Sequence, residues 1–336
     1  MQQQAIKTDT DINPLVQLTS LLQNDMEEVN KLIIKNMQSD VALIPKLSGY
    51  LIASGGKRIR PLLTLATTRL YGDQGNRPYA LAAAIEFIHT ATLLHDDVVD
   101  ESEERRGKAA ANLIFGNKAS VLVGDFLFSK AFQLMTKDGS LKTLDILSNA
   151  SAVIAQGEVL QLSATNNINI TLEDYYEIIG SKTAALFAAA TQIGPVIAGA
   201  SEDASKAMYD YGYYLGMSFQ IADDIMDYSA TKEQMGKNSG DDFREGKLTA
   251  PIIIALSKAN SEERKFWVRT LQNLNQKDGD LEHAISLINK HNAVEESIIL
   301  AKGFADKAIE AINKAPENVL KPLLKDIINF TIDRKC

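Results

Sequence analysis

Two segments of the chain read Asp-Asp-x-x-Asp: Asp96-Asp97-Val98-Val99-Asp100 and Asp223-Asp224-Ile225-Met226-Asp227. A spacing of four puts Asp96 and Asp100 on one helix face, about 6 Å apart at the β-carbons, and relates Asp223 and Asp227 in the same way. Like charges so placed repel and weaken an isolated helix. A divalent cation turns that penalty into a ligand set. Clustered carboxylates suit Mg²⁺, which keeps several waters and binds substrate phosphates as well. A solvated acidic helix end would account for one such motif. Two copies, each behind an apolar helical run, point to a metal site.

Cations supply the matching half. Gly55-Gly56-Lys57-Arg58-Ile59-Arg60-Pro61 sets three positive charges beside a flexible glycine pair, with Lys57 and Arg60 three apart on one face. Arg105-Arg106-Gly107 follows the first acidic motif, and Lys182-Thr183 and Lys247 are further cationic points. His89 lies seven residues before Asp96 on the same face, placed for a ligand contact. His95 faces another direction and reads as structural. The formal net charge is −8, which argues against nucleic acid as the main partner. A chain that is acidic overall yet gathers Arg and Lys beside its acidic clusters is suited to diphosphates bridged by metal.

The elements that must hold these groups are helical. Apolar residues recur at three- and four-residue spacing almost throughout, and Ile146–Leu162 and Ala184–Ala198 are apolar nearly all round, as buried helices are. Breaks fall at 72–78, 137–140, 165–171, 229–246 and 277–280. The reading is all-α, with about ten to twelve helices and no sheet. The 229–246 stretch carries Lys232, Lys237, Asp241, Asp242 and Arg244 and reads as a functional loop. No linker marks a domain boundary, so one domain over 1–336 is expected, with a polar N-terminal tail of about 1–13. The one cysteine, Cys336, allows no disulfide within a chain, and no targeting segment is seen. The expected location is the cytoplasm. Dinucleotide-binding, P-loop, Cys-x-x-Cys and Gly-x-Ser-x-Gly motifs are absent.

Taken together, these words resemble the trans-isoprenyl diphosphate synthases, and most of all the long-chain polyprenyl (octaprenyl or decaprenyl) diphosphate synthases. The likeness rests on Gly55–Pro61, Ile88–Asp100, Arg105-Arg106-Gly107, Gly157-Glu158 with Gln161, Lys182-Thr183, Phe219–Asp224 with Asp227, and Glu245-Gly246-Lys247. It runs closely from about Leu47 to Pro251 and more loosely beyond. The resemblance implies an all-α bundle around a deep central cavity, usually a homodimer. It also implies Mg-dependent 1′-4 condensation of isopentenyl diphosphate onto an allylic diphosphate such as farnesyl diphosphate.

Residue roles follow from the same resemblance. Asp96, Asp100 and Asp223 would hold Mg²⁺, three ions per site with diphosphate bound and Mn²⁺ able to substitute, and Asp97, Asp224 and Asp227 would support them. Arg105 and Lys182 would hold the allylic diphosphate, with Lys247 and Lys237 closing over it. Lys57, Arg60, His89 and Arg106 would hold isopentenyl diphosphate. Thr183 and Gln220 would line the carbocation. The loop reads Gly236-Lys237-Asn238 where the family often has proline after the lysine.

The growing chain is apolar and should run down a tunnel beside the helix that ends at Asp96. One helical turn back stand Ala91 and Thr92, and Ile88 lies on the next turn. None is aromatic, so nothing there closes the floor at three or four isoprene units. The expected product is therefore about C40–C50, of the kind used as a quinone side chain, with a C20–C25 geranylgeranyl-type product as the alternative. Terpene cyclases also use Asp-rich helices but lack the Gly-Gly-Lys-x-x-Arg word. A metal phosphohydrolase built around His95-Asp96 would need more histidines than the 4 present. A non-catalytic subunit would be expected to have lost its acidic motifs.

Overall fold

A computed structural model of the protein describes residues 13–53, 55–105, 107–229 and 240–332. Arg106, Lys237, most of the expected N-terminal tail and the last four residues lie outside that set. The helices are α1 (Pro14–Leu21), α2 (Gln23–Asn36), α3 (Leu43–Ala53), α4 (Ile59–Leu70), α5 (Arg77–Val99), α6 (Ala111–Phe115), α7 (Asn117–Asp138), α8 (Leu141–Ala164), α9 (Leu172–Ile179), α10 (Ala185–Ile197) and α11 (Glu202–Ser229). Beyond the second acidic motif follow α12 (Asp241–Arg244), α13 (Ala250–Ser257), α14 (Ser261–Trp267), α15 (Asp280–Lys290), α16 (Ala293–Asn313) and α17 (Leu320–Ile332).

The bundle is all-α, as the periodicity predicts. The sequence reading of no sheet needs one correction. Strands β1 (Glu104–Arg105) and β2 (Lys108–Ala109) form an antiparallel hairpin that pairs Glu104 with Ala109 and Arg105 with Lys108. Two-residue strands are too short to show a period of two. The helical segments among the described residues also outnumber the ten to twelve expected. Short helices, and two π-helical turns at Gly180–Ala184 and Val268–Gln272, subdivide runs that read as continuous.

Local chemistry sets the helix ends. Asn13 caps α1, its side chain accepting from the Leu15 amide at 2.9 Å, and Pro14 takes the first helical position. Thr171 and Asp174 form a reciprocal capping box that starts α9. The two long helices that carry the acidic motifs sit deep in the bundle. Helix α5 packs on α2, α4 and α7, whereas α11 packs on α10 and α16. Between them, α10 and the π turn before it touch α4, α8 and α11, and α10 also reaches α5. That central position lets one continuous helical rod reach both motifs. Among the described residues no helix is long and apolar enough to cross a membrane.

Candidate active site

The first acidic motif closes the C-terminal end of α5. Asp96 and Asp100 are half-buried, and Asp97 is buried with its Oδ1 2.5 Å from Arg105 Nε. Arg105 reaches it because the β1–β2 hairpin folds the chain back beneath the helix end. Burial pushes the Asp97 carboxyl up, against the pull of Arg105. The Asp97 carbonyl accepts from Asn112 Nδ2 at 3.0 Å, which ties the motif to α6.

The π turn supplies the next charge. Lys182 Nζ lies 2.7 Å from Glu158 Oε2 and 3.8 Å from Asp96 Oδ2. Gly157 makes this approach possible: a β-carbon there would meet Ser181 Cβ at 2.7 Å. Helix α8 can therefore lie against the turn only with glycine at that position. Burial pushes Asp96 up to about 7, and Glu158 and Asp100 add to the rise while Lys182 opposes it.

The second motif lies on α11. Asp223 is exposed, while Asp224 and Asp227 are buried. Asp224 accepts from the Tyr175 hydroxyl at 2.6 Å and from Gln220 Nε2 at 2.8 Å, and Thr183 Oγ1 donates to Gln220 Oε1 at 2.8 Å. Burial pushes Asp224 up to about 7, against these two donors. Asp227 accepts from the backbone amides of Asp241 and Asp242 at 3.3 and 3.0 Å. It thereby anchors the segment that carries Lys247. Lys247 Nζ ends 3.1 Å from Asp100 Oδ2 and 2.5 Å from Glu245 Oε2. Burial would lower its pKa, but Asp100, Glu245 and Asp242 outweigh that and hold it raised.

Asp100, Glu158, Lys182, Thr183, Gln220, Asp224 and Lys247 line one cavity of about 410 Å³. A second cavity of about 110 Å³ is lined by Asp97 together with Gly55, Gly56, Arg58, Glu86, His89 and Arg105. Arg60 Nη1 is 3.3 Å from His89 Nε2, and its guanidinium sits 4.3 Å from the Phe187 ring centroid. Gly55 (φ 77°) turns the chain there. Lys57 is exposed, 6.0 Å from the Phe330 ring centroid. Arg105 lines the smaller cavity with the glycine pair and His89, and its charge also reaches Asp96, which faces Lys182. Ala91 and Ile88 are fully buried, and half-buried Thr92 donates to the His89 carbonyl at 2.8 Å.

The site has room for a divalent ion's chemistry. Its donors are carboxylate oxygens, and Asp97 Oδ2 and Glu158 Oε1 are buried without a hydrogen-bond partner. Among the described residues no three His, Cys, Asp or Glu side chains converge closely enough to cage a metal. An ion here would complete its shell with diphosphate oxygens and water, as Mg²⁺ does. Sequence reasoning gave no role to Tyr175, Glu158 or Glu245. The first has no motif signal at all. The second stands in a quoted word, Gly157-Glu158, whose partner is visible only in three dimensions.

An all-α bundle with two acid-rich helix segments over a cationic cleft defines a prenyltransferase of the isoprenoid-diphosphate type. The chain belongs to the polyprenyl synthetase family, whose model matches residues 41–288. It is 46% identical over 322 residues to the octaprenyl diphosphate synthase of Escherichia coli (strain K12), covering 95% of this chain and 99% of that one. The crystal structure of a decaprenyl diphosphate synthase from Rhodobacter capsulatus superposes with a TM-score of 0.92 at 51% identity, covering 96% and 99% of the two chains. The polyprenyl synthase of Caulobacter crescentus CB15, solved with calcium and isoprenyl diphosphate, gives a TM-score of 0.92 at 49% identity, covering 96% and 98%.

Proposed function

We propose that the protein condenses isopentenyl diphosphate repeatedly onto an allylic diphosphate and releases a long all-trans polyprenyl diphosphate of about C40–C50. The observation that carries the site reading is the pair of lysines over the first acidic motif. Lys182 stands 3.8 Å from Asp96 and Lys247 stands 3.1 Å from Asp100. They present cations and carboxylates together to one cavity, as a diphosphate with its metal requires.

The residues then divide the work. Lys182 and Lys247 hold the allylic diphosphate. Arg105 joins them on that diphosphate and Lys237 closes over it, whereas Lys57, Arg60, His89 and Arg106 hold isopentenyl diphosphate. Asp96, Asp100 and Asp223 would hold Mg²⁺, three ions per site with diphosphate bound, or Mn²⁺ in its place, which would supply Lewis-acid neutralisation of the leaving diphosphate. When the allylic C–O bond breaks, its electron pair leaves with the diphosphate. Thr183 and Gln220 turn their dipoles to the carbon left behind. The double bond of isopentenyl diphosphate supplies the electrons of the new C–C bond, and a proton is lost to the released diphosphate. No side-chain nucleophile is required.

One catalytic unit spans the chain, because Asp100 and Lys247 come from its two halves. Leu113, Ile114 and Leu122 are exposed on α6 and α7, an apolar face that a second copy would cover in a homodimer. The cytoplasm suits the water-soluble substrates. A C20–C25 product is the second reading, against which the relatives cited above at 46% and 51% identity are named for octaprenyl and decaprenyl products. Incubation with farnesyl diphosphate, labelled isopentenyl diphosphate and Mg²⁺, with products separated by chain length, decides between them. No labelled prenyl product at all would overturn the assignment.

A further inference from the structure

We infer that Tyr175 is a positioning residue for catalysis, acting through Asp224 and Gln220 on the Thr183 hydroxyl. The inference rests on the proposed role of Thr183 at the carbocation. Tyr175 is buried, at 3% exposure, on α9, forty-nine residues before Asp224 in the chain. Its hydroxyl donates to Asp224 Oδ2 at 2.6 Å.

The chain of bonds has a fixed direction. Each oxygen of Asp224 faces a donor, the phenol at Oδ2 and the Gln220 amide nitrogen, which can only donate, at Oδ1. That choice turns the Gln220 carbonyl away from Asp224 and towards Thr183. A carbonyl only accepts, so the Thr183 hydroxyl must give its hydrogen to Gln220 Oε1, at 2.8 Å. The lone pairs of Thr183 Oγ1 are then the part left for the cavity, which Thr183 and Gln220 both line. Lone pairs face a cation favourably, whereas a hydroxyl hydrogen would repel it. The phenol holds the far end of this sequence. Without it one oxygen of Asp224 loses its donor, and the rotation of the carboxylate that orients Gln220 is no longer fixed.

Tyr175→Phe tests this, since it removes the hydroxyl and keeps the ring. Turnover at saturating substrates is expected to fall about tenfold, the loss of one buried hydrogen bond felt in the transition state. The Michaelis constants of both diphosphates should stay within about twofold, because the phenol touches neither. In a Thr183→Val background the same change should cost less than about twofold in kcat, since the group it positions is already gone. Gln220→Leu is a second background and should erase the effect equally. Additive losses in both backgrounds, or an unchanged kcat in Tyr175→Phe beside a slow Thr183→Val enzyme, would overturn the inference alone. An unchanged kcat in Thr183→Val would overturn the reading of Thr183 and the inference with it.

Discussion

Lys247 Nζ and Asp100 Oδ2 lie 3.1 Å apart although 147 residues separate them in the chain. The bond joins the segment beyond the second acidic motif to the last carboxylate of the first. On the proposed division of the cleft, it gives the allylic side its second cation. Lys247→Gln is expected to raise the Michaelis constant of the allylic primer about tenfold, the worth of one charge-assisted bond, while that of isopentenyl diphosphate moves little. Steady-state kinetics with each substrate varied in turn reads this. Equal shifts for both substrates would contradict the placement.

Asp96 and Asp223 are expected to matter most for the chemical step. Asp96→Ala and Asp223→Ala should each lower turnover on the order of 10²–10³-fold, the cost of removing one preorganised electrostatic stabiliser. Chelation of divalent ions should abolish activity, and Mg²⁺ or Mn²⁺ should restore it. An Asp96→Ala enzyme with normal turnover would sink the metal-site reading.

The two proposed diphosphate sites should be separable by mutation. Arg60→Ala or Lys57→Ala should raise the Michaelis constant for isopentenyl diphosphate more than for the primer, and Lys182→Ala should do the reverse. Arg60 also lies over the Phe187 ring. Arg60→Lys is therefore expected to recover only part of the loss, because a compact ammonium forfeits the planar stacking.

Product length tests the proposed tunnel. Thr92→Phe and Ala91→Tyr should shorten the product to about three or four units while condensation continues. Thr92 is the cleaner position, because it is half-buried. Ala91 is fully buried in the main core, so a tyrosine there also risks about 1–3 kcal/mol of overpacking. Thin-layer separation of the dephosphorylated products checks both variants, and unchanged lengths in both would exclude this wall of the tunnel.

Far from the site, Glu263 gives the fold an acid-sensitive contact. Lys290, the Asn260 amide and His291 lower its pKa from 4.5 to about 2. A carboxylate whose folded value is depressed stabilises the fold above its unfolded value, and that contribution fades as pH falls from about 4.5 towards 2. Glu263→Gln keeps a side chain able to cap α14 and removes the charge. Thermal melts are expected to show a flatter loss of stability between pH 5 and pH 2 in the variant. Parallel curves for the two proteins would assign the acid sensitivity elsewhere.

Much of this site was legible in the sequence, for a stateable reason. Asp96 and Asp100 stand in a short word whose spacing already fixes a helix face; Lys57 and Arg60 do not share one as their spacing suggests, because α4 begins only at Ile59 and Arg58 before it is left-handed (φ 44°). The groups that sequence reasoning left without roles depend on which helices meet. Glu158 finds Lys182 only because α8 lies against the π turn at Gly157. Tyr175 finds Asp224 only because α9 lies beside α11. Arg105 finds Asp97 only because the hairpin from Glu104 to Ala109 folds back on the end of α5. Two-residue strands leave no pattern from which that fold-back could be inferred.

The π turn at Gly180–Ala184 has a consequence for how the chain can change length. A π turn holds one residue more than an α turn can accommodate, and one residue is worth about 100° of rotation around the helix axis. Ahead of the turn, α9 aims Tyr175 at Asp224. Behind it, α10 aims Phe187 at Arg60. Deleting any one residue from 180 to 184 would leave both helices intact yet swing one aim away from its target. In this stretch residue count is therefore constrained alongside the side chains of Lys182 and Thr183, and a change of length is better tolerated outside it.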